Sequence, residues 1–175
     1  NNIVWFHCAS LGEFEQGKPI IKAYKIKHPK HKILITFFSP SGFEVEKRTS
    51  LANWVFYLPA DTKSNAKKFI KIVNPIKSFF IKYEFWFNYI QELKKQHIPT
   101  YSVSSIFRNG QWFFKSKWFA KQLHNINHFF VQDESSKILL NSIGLYNITV
   151  IGDTRFDNVF EKSQSPINIK LIQLF

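Results

Sequence analysis

Seven short runs of β-branched and aromatic residues punctuate the chain, at Ile3 to His7, Ile33 to Phe38, Trp54 to Leu58, Ser78 to Lys82, Thr100 to Ser104, His128 to Gln132 and Ile148 to Ile151. Most are nearly continuously apolar, the pattern of strands buried on both faces. Between them the apolar positions change period. Ala66, Phe69, Ile70 and Val73 recur at i, i+3, i+4 and i+7, while Lys63, Lys67, Lys68 and Lys71 take the other faces, which predicts an amphipathic helix. It starts after Asp61-Thr62, either of which can cap it, and stops at Asn74-Pro75. A second helix is expected over about 87–96, before Pro99. A third starts at about Glu134, carries Ile138, Leu139 and Ile143, and closes at Gly144. Alternating strands and helices predict a doubly wound, Rossmann-like α/β domain with a parallel sheet and right-handed crossovers. Ligands of such sheets bind beyond the carboxyl ends of the strands, which is where the chemistry is sought.

After Asp157 the pattern weakens. Residues 163–166, Ser-Gln-Ser-Pro, have the composition of a linker, so we expect one domain over 1–162 and the start of an inter-domain linker over 163–175. There is no Met, even at position 1, and the chain opens in mid-pattern, so a longer protein is expected, with an upstream anchor and a further domain outside this sequence.

Composition then narrows the partners. Lys and Arg exceed Asp and Glu by 24 to 12, a formal charge of +12, which points to a polyanion: nucleic acid, a phospholipid surface or a phosphorylated glycolipid. The single cysteine, Cys8, forms no intrachain disulfide and fits a small core residue in a reducing compartment. No apolar run in this sequence reaches the roughly 18 residues of a membrane span.

The first run leads directly into His7-Cys8-Ala9-Ser10-Leu11-Gly12-Glu13, with Pro19 suited to the first turn of a helix. Glu13 therefore falls at a strand's carboxyl end and a helix's amino end, where the helix dipole would hold it ionised, ready to take a proton from a hydroxyl. The competing assignment is a helix cap. Ser39-Pro40-Ser41-Gly42 offers hydroxyls and backbone donors to a phosphate or sugar, or is a plain turn with a cap. Neither loop matches a P-loop or a dinucleotide fingerprint. Glu84, after the fourth run, reaches the same sheet edge as Glu13. It either shares the site's work or pairs with Lys82 or caps the next helix.

Between Glu92 and Asp133 there is no acidic residue. Lys94, Lys95, Arg108, Lys115, Lys117 and Lys121 interleave there with Trp112, Phe113, Phe114, Trp118 and Phe119. Rings at headgroup level and amines on lipid phosphates make Trp112, Phe113, Lys115, Lys117 and Trp118 a candidate membrane-docking segment. The alternative is an amphipathic helix with its rings in the core. His124 and His128 are four apart but straddle a strand start, so shared metal ligation is not expected and no metal site is assigned. Gly152-Asp153-Thr154-Arg155-Phe156-Asp157 is a structural loop or a ligand clamp.

In order and spacing these pieces resemble the Kdo transferases of Gram-negative lipopolysaccharide assembly. The resemblance is carried by Ser10 to Glu13, Phe38 to Gly42, Tyr57-Leu58-Pro59 with Asp61, Tyr83 to Trp86 with Asn88, Phe130 to Gln132, and Gly152 to Asp157. It implies the N-terminal domain of a GT-B glycosyltransferase, inverting and metal-independent, with no cofactor. It also implies CMP-Kdo as donor, bound by a C-terminal domain outside this chain, and a phosphorylated lipid A precursor as acceptor. Glu13 would be the general base, with Glu84 in the same cleft. Ser10, Gly12, Ser41, Gly42, Lys82, Arg108, Asp153, Thr154 and Arg155 would bind substrate, and the protein would work at the cytoplasmic face of the inner membrane. One departure concerns Arg108: many family members show Asn-Ala-Arg-Leu-Ser after the fifth strand, where this chain has Ser104-Ser105-Ile106-Phe107-Arg108. Two rivals stand beside this reading. One is a nucleic-acid-binding module, supported only by the charge, and the other is a non-catalytic membrane-docking domain.

Overall fold

The computed structural model describes residues 2–82 and 84–154. Seven strands, β1 Ile3–His7, β2 Lys32–Phe37, β3 Trp54–Tyr57, β4 Lys77–Ile81, β5 Thr100–Ser105, β6 His128–Val131 and β7 Ile148–Val150, form one parallel sheet in the order β3-β2-β1-β4-β5-β6-β7. The helices between them are α1 Leu11–Lys27, α2 Pro40–Glu46, α3 Lys63–Val73, α4 Phe87–Lys95, α5 Trp112–Lys115, α6 Lys117–Leu123 and α7 Glu134–Asn141.

The alternation of side chains along β1 builds both cores. Val4, Phe6 and Cys8 pack with Phe14 and Ile21 of α1 on one face. Ile3 and Trp5 pack with Ala66 and Ile70 of α3 and Tyr89, Ile90 and Leu93 of α4 on the other. All five β1 residues are buried, which explains their unbroken apolar run. The edge strand β3 is short and partly exposed, a form that limits strand-to-strand association.

Three boundaries differ from the sequence reading. α1 starts at Leu11, with Ser10 in extended geometry (φ −137°) as its N-cap, so Pro19 lies inside the helix. There Pro19 has no backbone N–H to give to the helix ladder. The Ser39 segment is not a free loop: Ser39 accepts from the N–H of Ser41, Pro40 takes the first helical position, and Ser41 and Gly42 belong to the first turn of α2. α7 ends at Asn141, and Gly144 (φ +81°) closes the following turn three residues later. The basic aromatic stretch forms two short helices, interrupted at the extended residue Ser116.

Because every strand is parallel, all carboxyl ends share one edge, and the amino ends of α1, α2, α3, α4 and α7 meet there too. Their dipoles make that edge electropositive before any side chain is counted.

Candidate active site

The chain moves outward from β1 to β2 on one side and from β4 onward on the other, so the topological switch point lies between β1 and β4. Ser10, Gly12 and Glu13 leave β1 there, and Lys82 and Glu84 leave β4. The loop after β2 is tied to the same place: the N–H groups of Phe38 and Ser39 donate to the carbonyl of Ala9 at 3.1 and 2.7 Å. A Cβ on Gly42 would lie 2.2 Å from the Phe37 ring and 3.1 Å from the backbone nitrogen of Leu11, so glycine is what lets α2 seat against α1.

Glu13 occupies the third helical position of α1, and its Oε2 accepts the backbone N–H of Ser10 at 2.7 Å. The residue is nevertheless only 8% exposed. Burial, then the charge of Glu84, push its pKa above the ordinary value of 4.5, while the Ser10 bond and the charge of Lys82 pull it down without prevailing. Dehydration and a second carboxylate outweigh the Ser10 bond and the Lys82 amine, and the result is a stronger base than a surface glutamate.

Glu84 accepts from the indole N–H of Trp86 at 3.2 Å. It forms no ion pair with Lys82 among the described residues, and it does not cap α4. That helix is served by Asp61, whose carboxylate accepts the N–H of Asn88 at 3.1 Å while Asn88 Nδ2 returns a bond to the Asp61 carbonyl at 2.8 Å. Thr62, not Asp61, caps α3. Phe38, Asp61, Glu84, Phe85 and Trp86 line a hollow of about 400 Å³ next to this crevice.

Beneath Trp86 lies His7, ring centroids 4.9 Å apart in an edge-on arrangement. Trp5 Nε1 donates to Thr36 Oγ1 at 2.8 Å, and the same hydroxyl lies 2.9 Å from His7 Nδ1. We assign the ring proton to Nε2 on this network, because the hydroxyl has its own proton to give to Nδ1. Nε2 is buried without a hydrogen-bond partner among the described residues, and burial lowers the pKa of His7 to about 3. The imidazole is therefore neutral at physiological pH.

Lys82 adopts a left-handed backbone (φ 64°), and its carbonyl accepts the hydroxyls of Ser102 at 3.2 Å and Ser105 at 2.6 Å. Ser104, also left-handed (φ 56°), sits at the register shift in β5. It bonds to Thr154 Oγ1 at 3.0 Å, and its carbonyl accepts from Gln132 Nε2 at 3.0 Å. Thr154 in turn donates to the carbonyl of Gln16 at 2.8 Å. With its hydroxyl buried and spent in this way, Thr154 is a strut joining β5 to α1 rather than a ligand contact. Asp153 is half-buried beside it, and Arg155 lies outside the described residues.

Arg108 is not brought to the crevice. It stands, exposed, in a second hollow at the ends of β5 and β6. Lys115, Lys117 and Trp118 are exposed on α5 and α6, Trp118 at 53%, while Phe114 packs against the core and Phe119 against Phe87. The segment thus divides between surface and core. The side chains of Trp112 and Phe113 lie outside what is described. No helix among the described residues is long and apolar enough to cross a membrane.

Comparison with known proteins decides the family. The family 3-Deoxy-D-manno-octulosonic-acid transferase (kdotransferase) matches residues 1–158. This chain belongs to it. The Kdo transferase of Aquifex aeolicus is 34% identical over 84 residues, covering 47% of this chain and 23% of that protein. That of Chlamydophila psittaci is 26% identical over 153 residues, 82% of this chain and 34% of that protein. A bifunctional glycosyltransferase/methyltransferase of Fusobacterium nucleatum is 29% identical over 170 residues, 91% of this chain and 26% of that protein. The chain thus spans about a quarter to a third of the length of these relatives. Among solved structures, the UDP-GlcNAc 2-epimerases of Neisseria meningitidis and Methanocaldococcus jannaschii superpose with TM-scores of 0.69 and 0.70 at 16% and 14% identity. They cover 98% and 97% of this Kdo transferase family chain, which covers 51% and 52% of theirs. The fold they share is the Rossmann-like N-terminal half of the GT-B architecture.

Proposed function

We propose that this chain is the acceptor-binding half of an inverting Kdo transferase that moves Kdo from CMP-Kdo to a phosphorylated lipid A precursor in lipopolysaccharide assembly. The observation that carries the reading is Glu13, a dehydrated carboxylate at the switch point of the sheet with its pKa raised. In this reaction the acceptor hydroxyl oxygen forms a bond to the anomeric carbon of Kdo, the bond from that carbon to CMP breaks, and the hydroxyl proton passes to Glu13. A base poised closer to neutral pH than an ordinary glutamate suits that transfer. The leaving CMP is itself a phosphate, and the family resemblance implies that no metal is needed.

Glu84 keeps the Glu13 pKa high and, with Ser10, Gly12 and Ser41, faces the acceptor. Lys82 and Arg108 engage its phosphates, Gly42 shapes the crevice, and Asp153 closes it near the domain junction. The electropositive edge formed by five helix amino ends favours both the acidic sugar and the phosphorylated acceptor. Lys115, Lys117 and Trp118, with Trp112 and Phe113, dock the protein on the cytoplasmic face of the inner membrane. The test is transfer of Kdo from CMP-Kdo to a lipid A precursor by the protein that carries this chain, read by the mass of the product. No product from folded protein would overturn the reading.

A further inference from the structure

The second hollow, at the carboxyl ends of β5 and β6, has a volume of about 440 Å³, within the usual range of ligand pockets. Its walls are mainly apolar: Ile106, Phe107, Ile138 and Leu139. Ile138 stands 65% exposed, a large aliphatic side chain left in water on the open side of α7. Two charged groups stand among these walls. The carboxylate of Asp133 is already engaged, accepting the N–H of Ser136 at 2.6 Å to cap α7. Arg108 makes no ion pair among the described residues. A hydrophobic trough with one unspent guanidinium is complementary to an amphiphile: an alkyl chain in the trough and an anionic group on the arginine.

We infer that this trough holds one acyl chain of the acceptor lipid, with an acceptor phosphate on Arg108. The inference rests on the transferase reading above and adds to it a place for the acyl part. Strand spacing supports the geometry. From β1 past β4 to the space between β5 and β6 is two and a half strand spacings, roughly 12 Å. A disaccharide headgroup bridges that distance, so its hydroxyl can lie at Glu13 while the chain lies against Ile138. The exposed Lys115 and Trp118 on the neighbouring α5 and α6 would let the remaining chains stay in the lipid surface while one is drawn into the trough. Arg108, displaced from its expected place in the crevice, thereby gains a defined partner.

The test uses the intact protein and two phosphorylated acceptors, one acylated and one with its acyl chains removed. Ile138→Asn alters an exposed position, and its thermal melt should stay close to that of the native protein. It should lower kcat/KM about tenfold for the acylated acceptor, through KM, and leave the deacylated acceptor unchanged. Arg108→Ala should raise KM for both acceptors. An equal effect of Ile138→Asn on the two acceptors, or none on either, overturns the inference. A second arm does not depend on turnover: monomeric dodecyl phosphate should bind the native protein about tenfold more tightly than the Ile138→Asn variant, and inorganic phosphate should compete only weakly. Equal affinity of the two proteins for dodecyl phosphate overturns the trough. So does loss of vesicle binding in the variant when the native protein binds no monomeric amphiphile. If no acceptor is glycosylated yet dodecyl phosphate binds in this Ile138-dependent way, the trough stands and the transferase reading falls.

Discussion

Replacing Glu13 with Gln separates chemistry from architecture within one side chain. Glutamine keeps the shape and an Oε1 that can accept the N–H of Ser10, the bond Glu13 makes at 2.7 Å, but it cannot take up a proton. If Glu13 is the general base, the rate of transfer falls by about 10²–10⁴, equivalent to about 3–5 kcal/mol of barrier at ~1.36 kcal/mol per decade. Stability moves the other way. The folded pKa is raised above the unfolded value by burial and by Glu84, so the ionised carboxylate costs stability as pH rises from about 4.5 through the folded pKa, and the full cost is felt above it. Glutamine removes that cost. The variant should therefore be more stable at pH 7.5 by about 1 kcal/mol, a rise in Tm of about 2–4 °C for a chain of this size. The gain should fade below pH 4.5, where both states are protonated. Transfer rates and thermal unfolding, followed between pH 4 and 8, check both parts. Retained turnover refutes the base assignment. Lost stability together with lost activity would make Glu13 a cap whose carboxylate the fold requires.

The neighbours of Glu13 give opposite signatures. Glu84→Gln removes a charge that raises the Glu13 pKa and should move the acidic limb of kcat/KM to lower pH, whereas Lys82→Gln should move it to higher pH; shifts in one direction would contradict the electrostatics. Gly42→Ala forces a methyl into the Phe37 ring and should destabilise by about 1–3 kcal/mol in a thermal melt. Gly12→Ala meets nothing nearer than Ser10 Oγ at 4.0 Å, so its melt should be unchanged and any effect should appear in acceptor KM. Thr154→Val leaves the buried Gln16 carbonyl without its hydroxyl donor and should cost about 1–3 kcal/mol in denaturant unfolding.

The strands were legible because burial on both faces writes an unbroken apolar run, and observed and expected ends agree within a residue from β1 to β7. α2 escaped notice because seven residues carry too little period, although Ser39-Pro40 spelled its cap. Pro19 misled because a first-turn residue and an interior one look the same in one dimension. At the site, Glu13, Lys82 and Glu84 could be found as the residues that follow two strands. The hydroxyl network could not, because Ser102, Ser104 and Ser105 meet Lys82, Gln132 and Thr154 across separations of 20 to 50 residues set by strand order. Asp61 was visible as a cap, but which of two helix ends it serves depends on the packing of α3 against α4.

Four non-glycine residues among those described have left-handed backbones: Asn74, Lys82, His97 and Ser104. Asn74 and His97 follow the ends of α3 and α4, where this conformation is an ordinary way to close a helix. Lys82 and Ser104 lie at the carboxyl ends of β4 and β5, where no helix end calls for it, and each is held by hydroxyls from elsewhere in the chain. Strain therefore collects at the edge that also buries Glu13 and leaves His7 Nε2 without a partner among the described residues. Such concentration is expected where a side chain must be aimed at a substrate rather than packed. The cost can be isolated by comparing Lys82→Gly with Lys82→Ala, since both lose the amine and only glycine tolerates φ 64° freely. The glycine variant should be the more stable by about 1 kcal/mol, with equal transfer rates in the two. Equal stabilities would mean that the backbone at Lys82 is relaxed and that its serine contacts stabilise an ordinary turn.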